Sequence, residues 1–195
     1  MRKHSRTALQ TSQLMLQTQK KVGADVFFSP VSIEAAALII EQANTQGLSF
    51  PILAGDTWDS NVVLAQAKGT NVQLYVTTFF VEGSTDSQVT EFVNGFRGYL
   101  NSDATAKTNN GGDDEIAAVS AMGFDAYYTA LEALKAAGST KSADVIKALP
   151  GVKYNGVSGA IAFDQTGDAV RDVAYVKKVN NETGKWDFVA QQSVK

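Results

Sequence analysis

The apolar positions of this 195-residue chain change rhythm partway along. From residue 24 to residue 80, short apolar runs alternate with helical stripes. Ala24-Asp25-Val26-Phe27-Phe28 is a brief run of the kind a buried parallel strand needs. Ser29-Pro30 ends it, and Ser29 or Ser32 can cap the helix that follows. That helix sets Ile33, Ala36, Ala37, Ile40 and Ala43 on one face, and Gly47 stops it. Pro51–Ala54 reads as the next strand, ending at Gly55-Asp56. A short helix over Asn61–Ala67 follows, and Val72, Leu74 and Val76 alternate into a third strand that runs to Phe80. This order predicts an α/β layer with a parallel sheet flanked by helices.

Beyond residue 82 the pattern is mostly helical. Gln88–Leu100 predicts a helix with Val89, Phe92, Val93 and Phe96 inward. Ser102–Asp114 is polar, rich in Gly and Asn, and reads as a loop. Ala117–Ala137 is a long helix, apolar almost all round, that asks for burial on several sides. Its Phe124, Tyr127 and Tyr128 read as core aromatics when taken by themselves. Ala143–Leu149 is a short helix closed by Pro150-Gly151. β segments are expected around 159–163, 173–179 and 186–190, joined by polar turns at 165–168 and 180–184. Residues 1–22 are Gln- and Lys-rich. Leu9, Leu14, Met15, Leu16 and Val22 can line a loose helical face there, and 1–10 read as foreign to the fold.

Composition narrows the function more than it names it. The net charge is −3 with scattered Lys and Arg, which gives no electrostatic footprint for nucleic acid. The absence of cysteine excludes a disulfide framework, a thiolate zinc site and thiol catalysis. No stretch reaches the roughly 18 apolar residues of a membrane span. The basic start lacks the apolar core of a signal peptide. The one histidine, His4, lies in the ill-fitting first residues, so a Ser-His-Asp triad is not expected. Neither a Gly-x-Gly-x-x-Gly turn nor a phosphate-binding loop is present, and no cofactor is expected. Asp113-Asp114-Glu115 is too contiguous for an EF-hand and reads as a solvated loop.

Asp56 is the candidate with a positional argument. It falls just past the carboxyl end of a strand, the edge where ligands of open α/β sheets bind. A carboxylate there can accept an ammonium group, and Trp58 can wall an apolar side chain. Equally, Asp56 can cap the next helix or close a turn, and Trp58 can simply be packed. Ser32 lies at the same sheet edge, as a hydrogen-bond donor to a ligand or, the preferred reading, as an N-cap.

Three segments recur in order: Ala54-Gly55-Asp56-Thr57-Trp58-Asp59; Gly123-Phe124-Asp125-Ala126-Tyr127-Tyr128, opening a helix that ends at Gly138; and Tyr154–Asp168, a strand, a tight turn and a return. Together they resemble the extracytoplasmic substrate-binding proteins of ABC transporters, in the branch that takes leucine, isoleucine and valine. The resemblance spans about residues 24–189. It implies part of a two-lobe periplasmic-binding-protein type I fold, whose lobes are joined by three crossings and close on a ligand. Residues 24–77 and 173–195 map to the second lobe and 82–170 to the first, with 1–23 an atypical N-terminal segment. The family is about twice as long, so the chain is expected to be its C-terminal half, without an export signal. The implied ligand is an amino acid and the implied partners are ABC permease subunits. Asp56 is placed at the ligand amino group, Phe80 in a crossing between lobes, and Phe124 and Asp125 near the cleft. Val31-Ser32-Ile33 departs from the glycines and aromatics that relatives carry, which leaves the ligand class open. The alternatives are a ligand-sensing receptor domain of the same fold, or an inactive gene fragment.

Overall fold

A computed structural model describes residues 16–18, 21–171 and 173–193. The described residues form two compact units: those within 1–78 together with 176–190, and those within 79–175 together with 191–195.

The first unit is built on strands β1 (Phe27–Ser29), β2 (Ile52–Ala54) and β3 (Leu74–Thr78). These are parallel neighbours, with Phe27 opposite Ile52 and Ile52 opposite Leu74. The chain returns to the same sheet through β7 (Val173–Asn180) and β8 (Lys185–Ser193), giving the order β1-β2-β3-β7-β8. Helix α1 (Ile33–Thr45) links β1 to β2, and α2 (Asn61–Ala67) links β2 to β3. The alternation expected of half-covered strands is present: Phe27, Ile52, Ala54, Leu74 and Val76 are buried beneath Ile40, Ala43, Val63 and Leu64 of the helices. Between them β1 leaves Phe28 60% exposed. Leu16 joins this core, whereas Val22 is exposed, so the helical face expected at the N-terminus does not hold at Val22. Leu9, Leu14 and Met15 lie outside the described residues, as do His4 and the rest of the 1–10 segment.

One edge of this sheet is laced shut. The Asn181 amide, in the β7–β8 turn, donates to the carbonyls of Ala67 and Val72 and to the Thr70 hydroxyl at 2.9, 3.2 and 3.1 Å. The Gly69 N–H donates back to the Asn181 carbonyl at 2.7 Å. The carboxyl ends of β1, β2 and β3 lie at the opposite edge and lead into Val31, Gly55 and Phe79.

The second unit contains α3 (Ser87–Ser102), α4 (Ala104–Asn109), α5 (Ala118–Ala137) and α6 (Ser142–Ala148). It also has an antiparallel sheet of β4 (Lys153–Gly156), β5 (Gly159–Phe163) and β6 (Ala169–Val170). Helix α4 corrects the expectation of a loop over 102–114. Asp103 caps it, its carboxylate accepting the N–H groups of Thr105 and Ala106 at 2.8 and 2.9 Å. Gly111 and Gly112, both at positive φ, then carry the turn. Helix α5 departs from expectation in its orientation. Its buried stripe is Ala118, Ala121, Asp125, Thr129 and Ala133, while Tyr127 is 66% exposed. Small side chains let the helix approach its neighbours closely. Tyr127 and Tyr128 fall on the exposed side, while Phe124 packs against the buried cluster of Phe80, Val89 and Phe92, as expected of a core aromatic.

Candidate functional site

The turn after β2 is the best-defined feature of the open edge. Gly55 is extended, and Asp56–Trp58 form one turn of 3-10 helix. The Trp58 N–H donates to the Gly55 carbonyl at 3.1 Å, and the Asp59 N–H to the Asp56 carbonyl at 3.0 Å. Ser60 then caps α2, its hydroxyl accepting the Val63 N–H at 3.4 Å. The backbone of Asp56 is thus set from both sides. Its side chain is half-buried, and among the described residues no hydrogen bond or ion pair engages its carboxylate.

Trp58 is fully buried within the first unit's core. Its indole N–H donates to the carbonyl of Val31 at 2.8 Å. The ring therefore ties the loop after β1 to the turn after β2. It offers no open face in this structure, because the apolar area of an indole is better covered by core side chains than by water.

Ser32 occupies the N-cap position of α1 with φ −66° and ψ 162°, but its hydroxyl makes no capping bond. The cap is carried by its backbone carbonyl, which accepts the Ala35 N–H at 3.1 Å. The hydroxyl is exposed at the open edge. Ser29, last residue of β1 and opposite Ala54, has a buried hydroxyl with no hydrogen-bond partner among the described residues. Buried hydroxyls are nearly always hydrogen-bonded in folded proteins, so an orphan at the sheet edge calls for a partner such as water. Ser29 was considered from the sequence only as a cap, because nothing in the local pattern signals an unpaired group.

The other three candidates fall in the second unit. Phe80 is buried against Phe92, edge to face, with ring centroids 5.7 Å apart. Phe124 is half-buried, 4.9 Å from Phe92 and 4.8 Å from Tyr128. It lines an open groove of about 550 Å³ with Phe92, Phe96, Tyr128 and Tyr154. Burial lifts the Tyr154 hydroxyl above its ordinary pKa, with the nearby Asp125 adding to the effect.

Asp125 is completely buried and fully used. Its carboxylate accepts the N–H groups of Val157 and Ser158 at 2.8 and 2.7 Å, and the Ser158 hydroxyl. Arg171 donates to the Ser158 carbonyl at 2.8 Å and lies 5.0 Å from the centre of the Phe79 ring. Asp125 thus fastens α5 to the two-residue turn between β4 and β5.

Sequence reasoning passed over Asp59 and Lys177. They are 1% and 5% exposed and form an ion pair at 2.9 Å. They lie 118 residues apart, so no local spacing announces the pair. Burial pushes the Asp59 carboxyl upward, while Lys177 and the Thr78 hydroxyl pull it back. Among the described residues no group of three or more His, Cys, Asp or Glu side chains is placed to hold a metal ion, and no helix is long and apolar enough to cross a membrane.

Comparison with known proteins places this geometry. The family model for "Periplasmic binding protein" matches residues 3–185, reaching into the first ten residues that read as foreign. No curated protein matches. Among solved structures, a leucine-binding protein LivK from Thermotoga maritima shares 27% identity at a TM-score of 0.73, covering 91% of this chain and 47% of its own. The branched-chain amino acid transporter substrate-binding protein LivJ from Streptococcus pneumoniae, in complex with isoleucine, shares 23% at 0.72, covering 93% and 48%. A solute-binding protein of an ABC transporter from R. palustris, in complex with benzoate, shares 15% at 0.71, covering 93% and 47%. The chain spans about half the length of the structures it matches. With an α/β fold, a mixed sheet flanked by helices, and a family match over most of its length, the chain belongs to the periplasmic binding protein family, which binds solutes and is not a family of enzymes.

Proposed function

We propose that this chain contributes to binding an amino acid of the branched-chain type for uptake by an ABC transporter. The observation that carries the reading is Asp56, a half-buried carboxylate without a hydrogen bond or ion pair among the described residues, on a fixed turn at the carboxyl edge of a parallel sheet. An α-ammonium group is the natural partner for such a carboxylate. The 27% identity to a leucine-binding protein supports the same class. On this reading residues 24–77 with 173–195, and 82–170, belong to the two lobes of the type I fold. Ser32 and the buried hydroxyl of Ser29 flank the ligand, Trp58 sets the turn from beneath, and Phe80 and Phe124 support the other lobe. Permease subunits are the partners, and the protein acts outside the cytoplasm.

A benzoate-type ligand, as in the R. palustris complexes, has no ammonium group to meet the Asp56 carboxylate. Calorimetry with leucine, isoleucine, valine and benzoate tests the choice. Binding of the amino acids, weakened ten- to a hundredfold by Asp56→Ala, is the expected result. Preference for benzoate, or amino-acid binding indifferent to Asp56, overturns it.

A further inference from the structure

Charge is seldom buried in a small α/β core, because two apolar side chains of similar volume stabilise at least as well. Asp59 and Lys177 break that rule directly beneath the Asp56 turn. Lys177 Nζ, from β7, lies 2.9 and 3.2 Å from the two carboxylate oxygens of Asp59. The hydroxyl of Thr78, last residue of β3, donates to the same carboxylate at 2.6 Å. Three separate elements therefore meet at one side chain. That side chain belongs to the residue whose N–H closes the turn onto the Asp56 carbonyl. On the far side of the turn, Trp58 is bonded to the loop after β1. The ion pair fixes the orientation of the turn in a way a non-directional apolar contact would not, since carboxylate and ammonium must meet at hydrogen-bond distance and angle.

We propose that Asp59, Lys177 and Thr78 are positioning residues that hold the Gly55–Ser60 turn in the geometry that presents Asp56. The ordering of the turn follows from this structure alone. Its consequence for ligand affinity rests on the proposed function above.

Hydrogen exchange on the 195-residue chain separates positioning from general stability. In Lys177→Met and in Thr78→Val, amides 56–60 should exchange at least tenfold faster, while amides of β2 and β3 keep their protection relative to global unfolding. In a Trp186→Phe background Trp58 is the only tryptophan, and its emission should shift to the red in both variants. The double variant Asp59→Asn/Lys177→Met should regain stability without regaining protection of the turn. If Lys177→Met does not fold, Thr78→Val, which removes one hydroxyl at constant volume, decides the matter. Unchanged protection at 56–60, or loss spread evenly over 56–60, β2 and β3, overturns the proposal. Leucine titration adds a separate reading. If wild type binds leucine, Lys177→Met should weaken binding at least fivefold with Asp56 intact, and equal affinity counts against positioning. If wild type does not bind leucine, the functional reading fails, and exchange with Trp58 emission still decides on the turn.

Discussion

Two aspartates are buried among the described residues, Asp59 and Asp125, and each is satisfied in its own way. Asp125, in the second unit, is held by neutral donors: two backbone N–H groups and a hydroxyl, all from the Val157-Ser158 turn. Asp59, in the first unit, is held by an ammonium and a hydroxyl from two different strands. The first arrangement is local on the donor side, and the hairpin alone fixes where the donors point. It needs space more than charge: a Cβ on Gly156 would fall on the Asp125 carboxylate. The second arrangement joins parts of the chain far apart in sequence and sits beneath the carboxylate of Asp56, which has no such partner among the described residues. The contrast separates a fastening device from one that prepares a neighbouring residue. It also argues that the resemblance, which sets Asp125 near the cleft, points to a residue whose bonding capacity is spent inside the fold.

The contrast is sharpened most by removing one partner from each. Lys177→Met leaves a buried, unpaired carboxylate, and unfolding in urea should show a loss of about 3–5 kcal/mol. Asp59→Asn/Lys177→Met should recover most of it, because the pair is then neutral. Asp125→Ala leaves the buried N–H groups of Val157 and Ser158 without an acceptor, and the loss should be about 2–4 kcal/mol. Asp125→Asn should recover part of that, since one amide oxygen still accepts. If removing Lys177 costs less than removing Asp125, the view of Asp59 as the more demanding burial is wrong.

Asp56 should behave like neither buried aspartate. Asp56→Ala should change stability by no more than about 0.5 kcal/mol, as expected for a side chain without bonded partners among the described residues. Its effect belongs to binding: a loss of about 1.5–3 kcal/mol in affinity for leucine, read by calorimetry. A large stability effect together with unchanged affinity would move Asp56 into the structural class.

Helix α5 carries the contrast to the surface. It turns Asp125 and Thr129 inward and leaves Val119 57% and Tyr127 66% exposed. Exposed apolar side chains along one helix favour association. Sedimentation of the 195-residue chain should show self-association, reduced severalfold by Tyr127→Lys. A monodisperse monomer at high concentration would mean that these side chains drive no association.

Much of the first unit was legible because its signals are local. Apolar runs, the Asn61–Ala67 stripe and the break at Gly55 gave the three parallel strands and their helices in order. The turn at Asp56 could be placed at the carboxyl edge for the same reason. What escaped depends on partners distant in sequence or on orientation. Hydropathy assigns Tyr127 and Tyr128 of α5 to the core along with Phe124, although only Phe124 packs there and a stripe of alanines packs closer than tyrosines can. Helix α4 was hidden in a polar stretch whose start is set by the Asp103 cap rather than by periodicity. The Asp59–Lys177 pair had no sequence signature at all. Among the site residues, Trp58 was found by its place in a motif, but its burial and its bond to Val31 needed the fold.

The smallest effect concerns a third, exposed aspartate, which tests whether burial is what separates the other two. Asp164 Oδ1 accepts the Thr166 hydroxyl at 2.6 Å, the Thr166 N–H at 2.8 Å and the Asp168 N–H at 3.0 Å in the β5–β6 turn. The Thr166 hydroxyl, with the Asp168 and Thr166 N–H groups, holds its carboxyl below the ordinary carboxylate range. For a lowered pKa the folded state binds its proton later than the unfolded chain as pH falls. The stabilisation is therefore complete above the unfolded value, about 3.9, and fades as pH drops through the lowered one. Asp59 has the opposite sign: burial raises its pKa, so stability linked to it declines as pH rises through the raised value. Asp164→Ala should thus be less stable than wild type at pH 7, and the gap should narrow in urea titrations carried down to about pH 2. For Asp59→Asn the sign is reversed: as pH falls through the raised value, wild type takes up a proton and gains stability that the variant does not. A gap for Asp164→Ala that stays constant with pH would show that the turn depends on its hydrogen-bond geometry and not on the charge of the carboxylate.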